Sequence, residues 1–219
     1  MTPPTPPASG LIAILRGLTP PDAVEIGRAV LEAGFDALEV PLNSPEPFES
    51  IARLRAALPA GTALGAGTVL RPEDVARAAD AGSSIIVAPN TSPAVIAAAV
   101  ARGLRAYPGV ATATEAFTAV GAGATSLKIF PADLVGITGM RAWRSVLPPE
   151  VELLPVGGVD AANLADWARA GAGGAGIGSA LYRPGDDAAT VHARAVAMRA
   201  AWDDGRTHRS PSPSAADGP

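Results

Sequence analysis

Cysteine is absent from this chain of 219 residues, and lysine and histidine are nearly so. Without cysteine the protein forms no disulfide, binds no zinc through thiolates and has no thiol nucleophile. Its two histidines, His192 and His208, are too few for a multi-histidine metal site, and we expect both at the solvated surface. Of the seventeen lysine and arginine residues, sixteen are arginine and only Lys128 is lysine. Any reaction that requires an ε-amine therefore depends on Lys128.

Further absences bear on partners and location. The net charge is −4 and the chain has no run of basic residues, so nothing predicts nucleic-acid binding. No apolar run approaches the roughly twenty residues of a membrane span. The proline-rich N-terminus lacks the basic segment of a secretory signal. We expect a cytoplasmic protein with a small-molecule partner.

Short apolar runs alternate with longer helical patterns along most of the chain. The runs that predict strands are 11–15, 36–40, 62–66, 84–88, 104–107, 126–130, 152–156 and 174–178. The patterns that predict helices are 20–33, 45–57, 72–81, 92–102, 114–121, 139–147, 160–170 and 186–202.

Eight strand–helix units predict an α/β fold with a parallel sheet. Eight units in one domain favour a closed (β/α)8 TIM barrel over the alternative, an open doubly wound sheet. The predicted domain spans 10–204. The polar, proline-rich segments 1–9 and 205–219 are predicted to be disordered tails.

Two charged residues interrupt strands that are otherwise apolar. Glu39 lies in the second predicted strand and Lys128 in the sixth. A buried charge needs a partner or a pocket, so the pair is either a structural ion pair or an amine and a carboxylate that converge on one site. Burial lowers the pKa of a lysine and raises that of a glutamate, which suits an amine nucleophile and a proton-transfer group. We favour the catalytic interpretation.

Glycine pairs and polar residues follow several predicted strands, at the edge where a barrel carries its active site. Turns after the last two strands of a barrel often bind phosphate through backbone N–H groups, although glycines also serve in simple tight turns. Arg16 is a candidate anion ligand, or a solvated loop arginine. The glycine-turn candidates are Gly157, Gly158, Gly178 and Ser179, and the weaker polar candidates are Thr68, Asn43 and Asn90.

Seven segments resemble the KDPG/KHG aldolase family, and together they reach across nearly the whole predicted domain. They are 11–17 (LIAILRG), 39–45 (EVPLNSP), 65–70 (GAGTVL), 111–117 (ATATEAF), 127–131 (LKIFP), 156–159 (VGGV) and 178–183 (GSALYR). Within the family, segment 41–45 resembles the branch that acts on the galactonate epimer. The phosphogluconate-specific branch typically carries a Thr-Leu-Arg-Thr type of segment there.

The resemblance implies a homotrimeric class I aldolase that needs no metal or other cofactor and acts on a phosphorylated 2-keto-3-deoxy sugar acid. Lys128 would form an imine with the C2 carbonyl, and Glu39 would act as general acid and base through a water. Arg16 and Thr68 would bind the pyruvate carboxylate or nearby hydroxyls, with their individual roles left open. The residues that would hold the 6-phosphate are Gly157, Gly158, Gly178 and Ser179.

Three alternatives stay open at this point. The chain could act on the phosphogluconate epimer, or on both epimers. It could be a phosphosugar isomerase or epimerase, which would explain the glycine turns but not the lone lysine. It could also be a non-catalytic sugar-phosphate sensor, which the presence of both Lys128 and Glu39 disfavours.

Overall fold

The computed structural model describes residues 9–208, so most of the two predicted tails lies outside the described residues. Within that range strands and helices alternate. The strands are β1 (Gly10–Ile14), β2 (Ala37–Pro41), β3 (Ala63–Gly67), β4 (Ile85–Val87), β5 (Arg105–Tyr107), β6 (Gly109–Val110), β7 (Ser126–Ile129), β8 (Glu152–Pro155) and β9 (Gly174–Ile177). The helices are α1 (Ala23–Glu32), α2 (Pro47–Ala57), α3 (Pro72–Asp80), α4 (Pro93–Val100), α5 (Ala113–Gly121), α6 (Ala132–Arg144), α7 (Leu164–Arg169) and α8 (Ala188–Thr207).

All paired strands are parallel, which confirms the predicted α/β class. Six strands pair in the order β5-β4-β3-β2-β1-β9, and three more pair in the order β6-β7-β8. An isolated parallel bridge between Val156 and Gly176 links the end of β8 to β9. The sheet is curled, and the carboxyl ends of its strands lie on one side.

Most strand residues are buried, because helices cover the outer face and side chains fill the inner one. This double burial explains why the strands read as short continuous apolar runs. Proline begins α2, α3 and α4, where its missing N–H has no intrahelical partner to lose. Every helix within residues 9–208 is too short or too polar to cross a membrane.

The fifth predicted strand, 104–107, corresponds to β5, and a short strand that the sequence does not predict, β6, follows it after Pro108. Proline has no N–H to donate to a ladder, so β5 ends at Tyr107 and β6 begins at Gly109. The carbonyl of Pro108 still accepts a hydrogen bond from the N–H of Lys128 at 2.9 Å. The interruption therefore leaves β6 paired with β7, the strand that carries Lys128.

Helix α6 begins earlier than the sequence predicts. The predicted helix covers 139–147, whereas α6 starts at Ala132 and ends at Arg144. Gly136 has φ 67° and ψ 170°, so a non-helical residue separates the first turn from the rest. The helical periodicity is broken at that glycine, and the first turn is too short to show one of its own.

Two predicted tail boundaries are wrong. The sequence predicts a tail from residue 205, but residues 205–207 form the end of α8, where Gly205 is buried against Ala165 and Ala168 of α7. The sequence also predicts that Ser9 belongs to the N-terminal tail, but only 5% of this residue is exposed. Contacts with other elements hold both segments, and local composition does not reveal such contacts.

Ser9 closes a polar cluster at the amino ends of the strands. Its N–H donates to Glu152 at 3.1 Å, and its hydroxyl lies 3.1 Å from the Tyr107 hydroxyl. Glu152 also pairs with Arg105 and accepts a hydrogen bond from Ser126 at 3.2 Å. These groups satisfy one another at the end of the fold opposite the candidate active site.

Candidate active site

The carboxyl ends of the strands surround a cavity of about 600 Å³. Seven of the ten residues that the sequence singles out line it, and they come from five separate strand ends. These residues are Arg16, Asn43, Lys128, Gly157, Gly158, Gly178 and Ser179. The fold therefore gathers residues that are more than 160 positions apart in the chain into one space.

Lys128 lies in β7 and is 6% exposed. Burial lowers the pKa of its ammonium group, the Glu39 carboxylate raises it and the Arg16 guanidinium lowers it further. The Nζ atom lies 4.7 Å from the centre of the Phe130 ring. At neutral pH, a lysine with a lowered pKa has a larger fraction of neutral, nucleophilic amine than an exposed lysine has.

Glu39 lies in β2 and is 1% exposed. Burial raises the pKa of its carboxyl group to about 7, against the opposing effects of the positive charges on Lys128 and Arg16. Its Oε2 atom has no hydrogen-bond partner among the described residues. Glu39 and Lys128 both border a small interior space below the large cavity. A carboxyl group with a pKa near neutrality and a free oxygen is suited to accept and return a proton.

Gly67 makes room for the Glu39 side chain. A Cβ atom built on Gly67 would lie 1.8 Å from Oε2 of Glu39. Gly67 lies in segment 65–70, which resembles the family, but the sequence alone indicates no role for it. An alternation of large and small residues on adjacent strands is the signal that could have indicated it.

Arg16 follows β1 and is exposed at the cavity. Its NH1 atom donates to Oδ1 of Asn43 at 2.6 Å. This bond fixes the amide of Asn43 with its NH₂ group left as a donor. A guanidinium and an oriented amide thus stand on the same side of the cavity, where they can bind a carboxylate or hydroxyl groups.

Two glycine turns, which follow β8 and β9, line the same cavity. Gly157 and Gly158 have φ values of 90° and 72°, which a side chain would disfavour. Within residues 9–208, the N–H groups of residues 158, 159 and 178–180 donate no hydrogen bond to the protein. Two sets of free backbone donors that face one cavity form a suitable anion site.

Thr68 and Asn90 are placed differently from the other predicted residues, because neither lines the large cavity. Thr68 follows β3 and is held with φ 54°, an uncommon value for a threonine. Asn90 is exposed, and its backbone packs against Gly109, which pairs with Lys128. The structure therefore brings Asn90 near the lysine strand without directing it at the cavity.

Asn163 is a polar residue near the site that the sequence analysis did not identify. It immediately precedes α7, and its Nδ2 atom donates to the carbonyl oxygen of Gly158 at 2.7 Å. Only its position five residues after a glycine turn could have indicated it. The described part of the chain contains no group of three or more histidine, aspartate or glutamate side chains arranged to hold a metal ion.

Comparison with known proteins agrees with this geometry. Residues 8–193 match the family described as KDPG and KHG aldolase. The chain is 50% identical over 193 residues to a probable 2-dehydro-3-deoxy-6-phosphogalactonate aldolase of Rhizobium meliloti, covering 88% of this chain and 91% of that protein. It is 48% identical over 192 residues to the 2-dehydro-3-deoxy-6-phosphogalactonate aldolase of Escherichia coli K12, covering 88% and 94%.

A solved structure described as native KDPGal aligns with a TM-score of 0.88 at 47% identity, covering 90% of this chain and 96% of that one. The family match spans far more than half of the chain, and it includes every strand and glycine turn that forms the cavity. The resemblance found in the sequence is thereby confirmed, and the chain belongs to the KDPG/KHG aldolase family.

Proposed function

We propose that this protein is a class I aldolase that cleaves 2-dehydro-3-deoxy-6-phosphogalactonate to pyruvate and D-glyceraldehyde 3-phosphate, in galactonate catabolism. The observation that carries the proposal is the position of Lys128. The only lysine of the chain is buried beside a carboxyl group, and it lines a cavity that the two glycine turns also line. The reaction requires no metal or other cofactor.

The neutral amine of Lys128 attacks the C2 carbonyl of the substrate, and water leaves as the imine forms. The protonated imine accepts the electron pair of the C3–C4 bond when that bond breaks, which gives a neutral enamine on Lys128. The enamine then takes a proton at C3, and hydrolysis releases pyruvate and the free amine. The lowered pKa of Lys128 supports the first step, because an ammonium group has no lone pair for attack.

Glu39 accepts the proton of the C4 hydroxyl as the C3–C4 bond breaks, directly or through one water. Its raised pKa supports this role, since the group can exist in either protonation state near pH 7. The unpartnered Oε2 atom is the oxygen available for the transfer. The same group can return the proton at C3 of the enamine.

The phosphate of the substrate lies between the two glycine turns, where the backbone N–H groups of residues 158, 159 and 178–180 bind its oxygens. Asn43 donates to a substrate hydroxyl, and Asn90 is a weaker candidate of the same kind. Arg16 and Thr68 are the two candidates for the pyruvate carboxylate. Arg16 is favoured by its place on the cavity wall, and Thr68 by the unusual backbone conformation in which it is held.

The second candidate reaction is cleavage of the phosphogluconate epimer, alone or beside the galactonate one. Both epimers present the same C2 carbonyl and phosphate, so Lys128 and the glycine turns serve either. Segment 41–45 and the names of the two relatives favour the galactonate epimer. An isomerase or epimerase does not account for a buried lone lysine.

We also propose that the strands close into one (β/α)8 barrel, in a single domain. The bridge from Val156 to Gly176 and the bond from the Gly173 N–H to the Leu153 carbonyl support closure between β8 and β9. The continuation of β5 into β6 across Pro108 supports closure on the other side. By resemblance to the family we propose a cytoplasmic homotrimer, which analytical ultracentrifugation can test.

Borohydride trapping tests the proposal. Treatment with pyruvate and borohydride should add one pyruvate-derived group, on Lys128, visible by intact-protein and peptide mass spectrometry. Lys128→Arg keeps the positive charge, yet it should give no adduct and lose turnover, because arginine cannot form the imine. No adduct on the wild-type protein at saturating pyruvate would contradict the aldolase mechanism. Cleavage rates on the two purified epimers then decide the substrate.

A further inference from the structure

Asn163 is the residue that joins the first glycine turn to the body of the protein. Its Nδ2 atom donates to the Gly158 carbonyl at 2.7 Å, and its Oδ1 atom accepts from the Asp160 N–H at 3.1 Å. It does not line the cavity itself. One amide side chain therefore holds both ends of the segment 158–160 from behind.

Apart from the buried side chain of Val159, the segment has few contacts that fix its backbone. Gly157 and Gly158 lack side chains and both have positive φ values, which leaves their backbone more conformational freedom than other residues would have. The Asp160 side chain bonds to the residues that follow it in the chain and not to the glycine turn. Its Oδ1 atom accepts from the N–H groups of Ala162 and Asn163 at 2.9 and 3.2 Å. The Gly158 carbonyl is thus fixed by Asn163 alone among the recorded hydrogen bonds of residues 9–208.

The bond to the Gly158 carbonyl also sets the direction of the next N–H group. In a planar trans peptide the carbonyl of Gly158 and the N–H of Val159 point in opposite directions. The carbonyl points at Asn163, so the Val159 N–H points away from it. Val159 lines the cavity while its side chain is buried in the core, which indicates that its backbone faces the cavity.

We propose that Asn163 is a positioning residue that holds the backbone N–H groups of Gly158 and Val159 in the orientation that binds the substrate phosphate. This inference rests on the proposed function. Asn163 touches no reacting atom, so it contributes to substrate binding and not to imine chemistry. Preorganised donors bind an anion more tightly than donors that must first be ordered.

Kinetics of Asn163→Ala test the inference. We expect KM for the phosphorylated substrate to rise at least about tenfold, with kcat within about twofold of the wild-type value. The inhibition constant of inorganic phosphate should rise by a similar factor. Pyruvate has no phosphate, so borohydride trapping of pyruvate on Lys128 should proceed at the wild-type rate.

Asn163→Asp distinguishes loop positioning from a purely structural role at the start of α7. The carboxylate can still accept from the Asp160 N–H, but it has no donor for the Gly158 carbonyl and repels that oxygen. We expect a rise in KM at least as large as for Asn163→Ala. A matched control is Asp166→Ala, which removes an exposed carboxylate of α7 that pairs with Arg169 and should leave both kinetic constants unchanged.

The kinetic results separate the positioning role of Asn163 from the proposed function. An unchanged KM in Asn163→Ala, or a wild-type KM in Asn163→Asp, overturns the positioning role. A parallel loss of kcat and of pyruvate trapping in both variants also overturns it, because that pattern reports general disruption of the fold. Failure of the wild-type protein to trap pyruvate overturns the proposed function instead, and is therefore distinguishable.

Discussion

The carboxyl group of Glu39 occupies the space that a side chain at position 67 would need. A Cβ atom on Gly67 would lie 1.8 Å from Oε2 and 2.4 Å from Oε1 of Glu39. Because Glu39 is 1% exposed, the packed interior leaves its side chain little freedom to move aside. The position of the proposed proton-transfer group is thus determined by a glycine on the neighbouring strand.

Gly67→Ala should displace Glu39 and reduce kcat by about ten- to a hundredfold, the range expected when a general acid or base is misplaced. Pyruvate should still be trapped on Lys128, since imine formation does not require the C4 proton transfer. Gly61→Ala is the matched control, because a Cβ atom there meets nothing within 4 Å. Steady-state kinetics of the two variants test this prediction. Equal kcat values would show that Gly67 does not position Glu39.

The pH dependence of cleavage should follow the Glu39 carboxyl group. Below pH 7 the group holds its proton and cannot accept the C4 hydroxyl proton, so kcat/KM should fall as the pH falls through about 7. The fraction of Lys128 that is a neutral amine also falls as the pH falls, which makes the decline of kcat/KM steeper. The pH profile measures this effect, and a profile that is flat from pH 6 to 8 would exclude Glu39 as the base.

Stability should depend on pH through the same group, with the sign set by linkage. The raised pKa means that folded Glu39 holds its proton more tightly than unfolded Glu39 does. The protonated group therefore makes its full contribution to the free energy of unfolding below the ordinary pKa of a glutamate. This contribution is lost as the pH rises to about 7. Glu39→Gln should remove this dependence and raise the free energy of unfolding near pH 8 by about 1 to 3 kcal/mol. Urea unfolding of both proteins at pH 5 and pH 8 provides the measurement.

Replacements of Thr68 separate its two candidate roles. Thr68→Gly relieves the positive φ and should raise the free energy of unfolding by up to about 1 kcal/mol, whereas Thr68→Ala keeps the strained conformation. If the hydroxyl binds the pyruvate carboxylate, both variants need several-fold more pyruvate for half-maximal trapping, and this is the result we expect. Unchanged pyruvate dependence in both would assign the carboxylate to Arg16 alone.

Glu152→Ala should destabilise the protein by about 2 to 4 kcal/mol, because it leaves the partly buried Arg105 without its carboxylate partner. Asp166→Ala breaks an exposed pair and should change stability by less than about 1 kcal/mol. Thermal and urea unfolding compare the two. The kcat of Glu152→Ala, measured well below its melting temperature, should match the wild-type value, since the cluster lies at the far end of the strands.

Much of the fold could be predicted because its strands are short apolar runs and its helices are periodic. The glutamate and the lysine stood out for the same reason, as charges inside such runs. Features that depend on one backbone angle escaped prediction, as at Gly136, where a single non-helical residue divides α6. Features that depend on contacts distant in sequence also escaped, as for Ser9, which is held by side chains about a hundred or more positions away.

The residues of the candidate active site also divide into those that the sequence predicts and those that it does not. Residues that line the cavity at strand ends could be predicted from their position alone. Gly67 and Asn163 could not, because each contacts another residue of the site and does not line the cavity itself. Thr68 and Asn90 also follow strand ends, but they are not among the residues that line the large cavity. Which side chain points inward depends on the local backbone, and the φ of 54° at Thr68 is such a case.

The near absence of lysine has a consequence for the protein in the presence of its own product. D-glyceraldehyde 3-phosphate is an aldehyde, and aldehydes condense with primary amines but not with protonated guanidinium groups. With sixteen arginines and one buried lysine, the chain presents hardly any ε-amine to this aldehyde, so its surface should form few imines with the product during turnover. The ε-amine that remains is the one whose condensation with a carbonyl compound is reversed in every catalytic cycle.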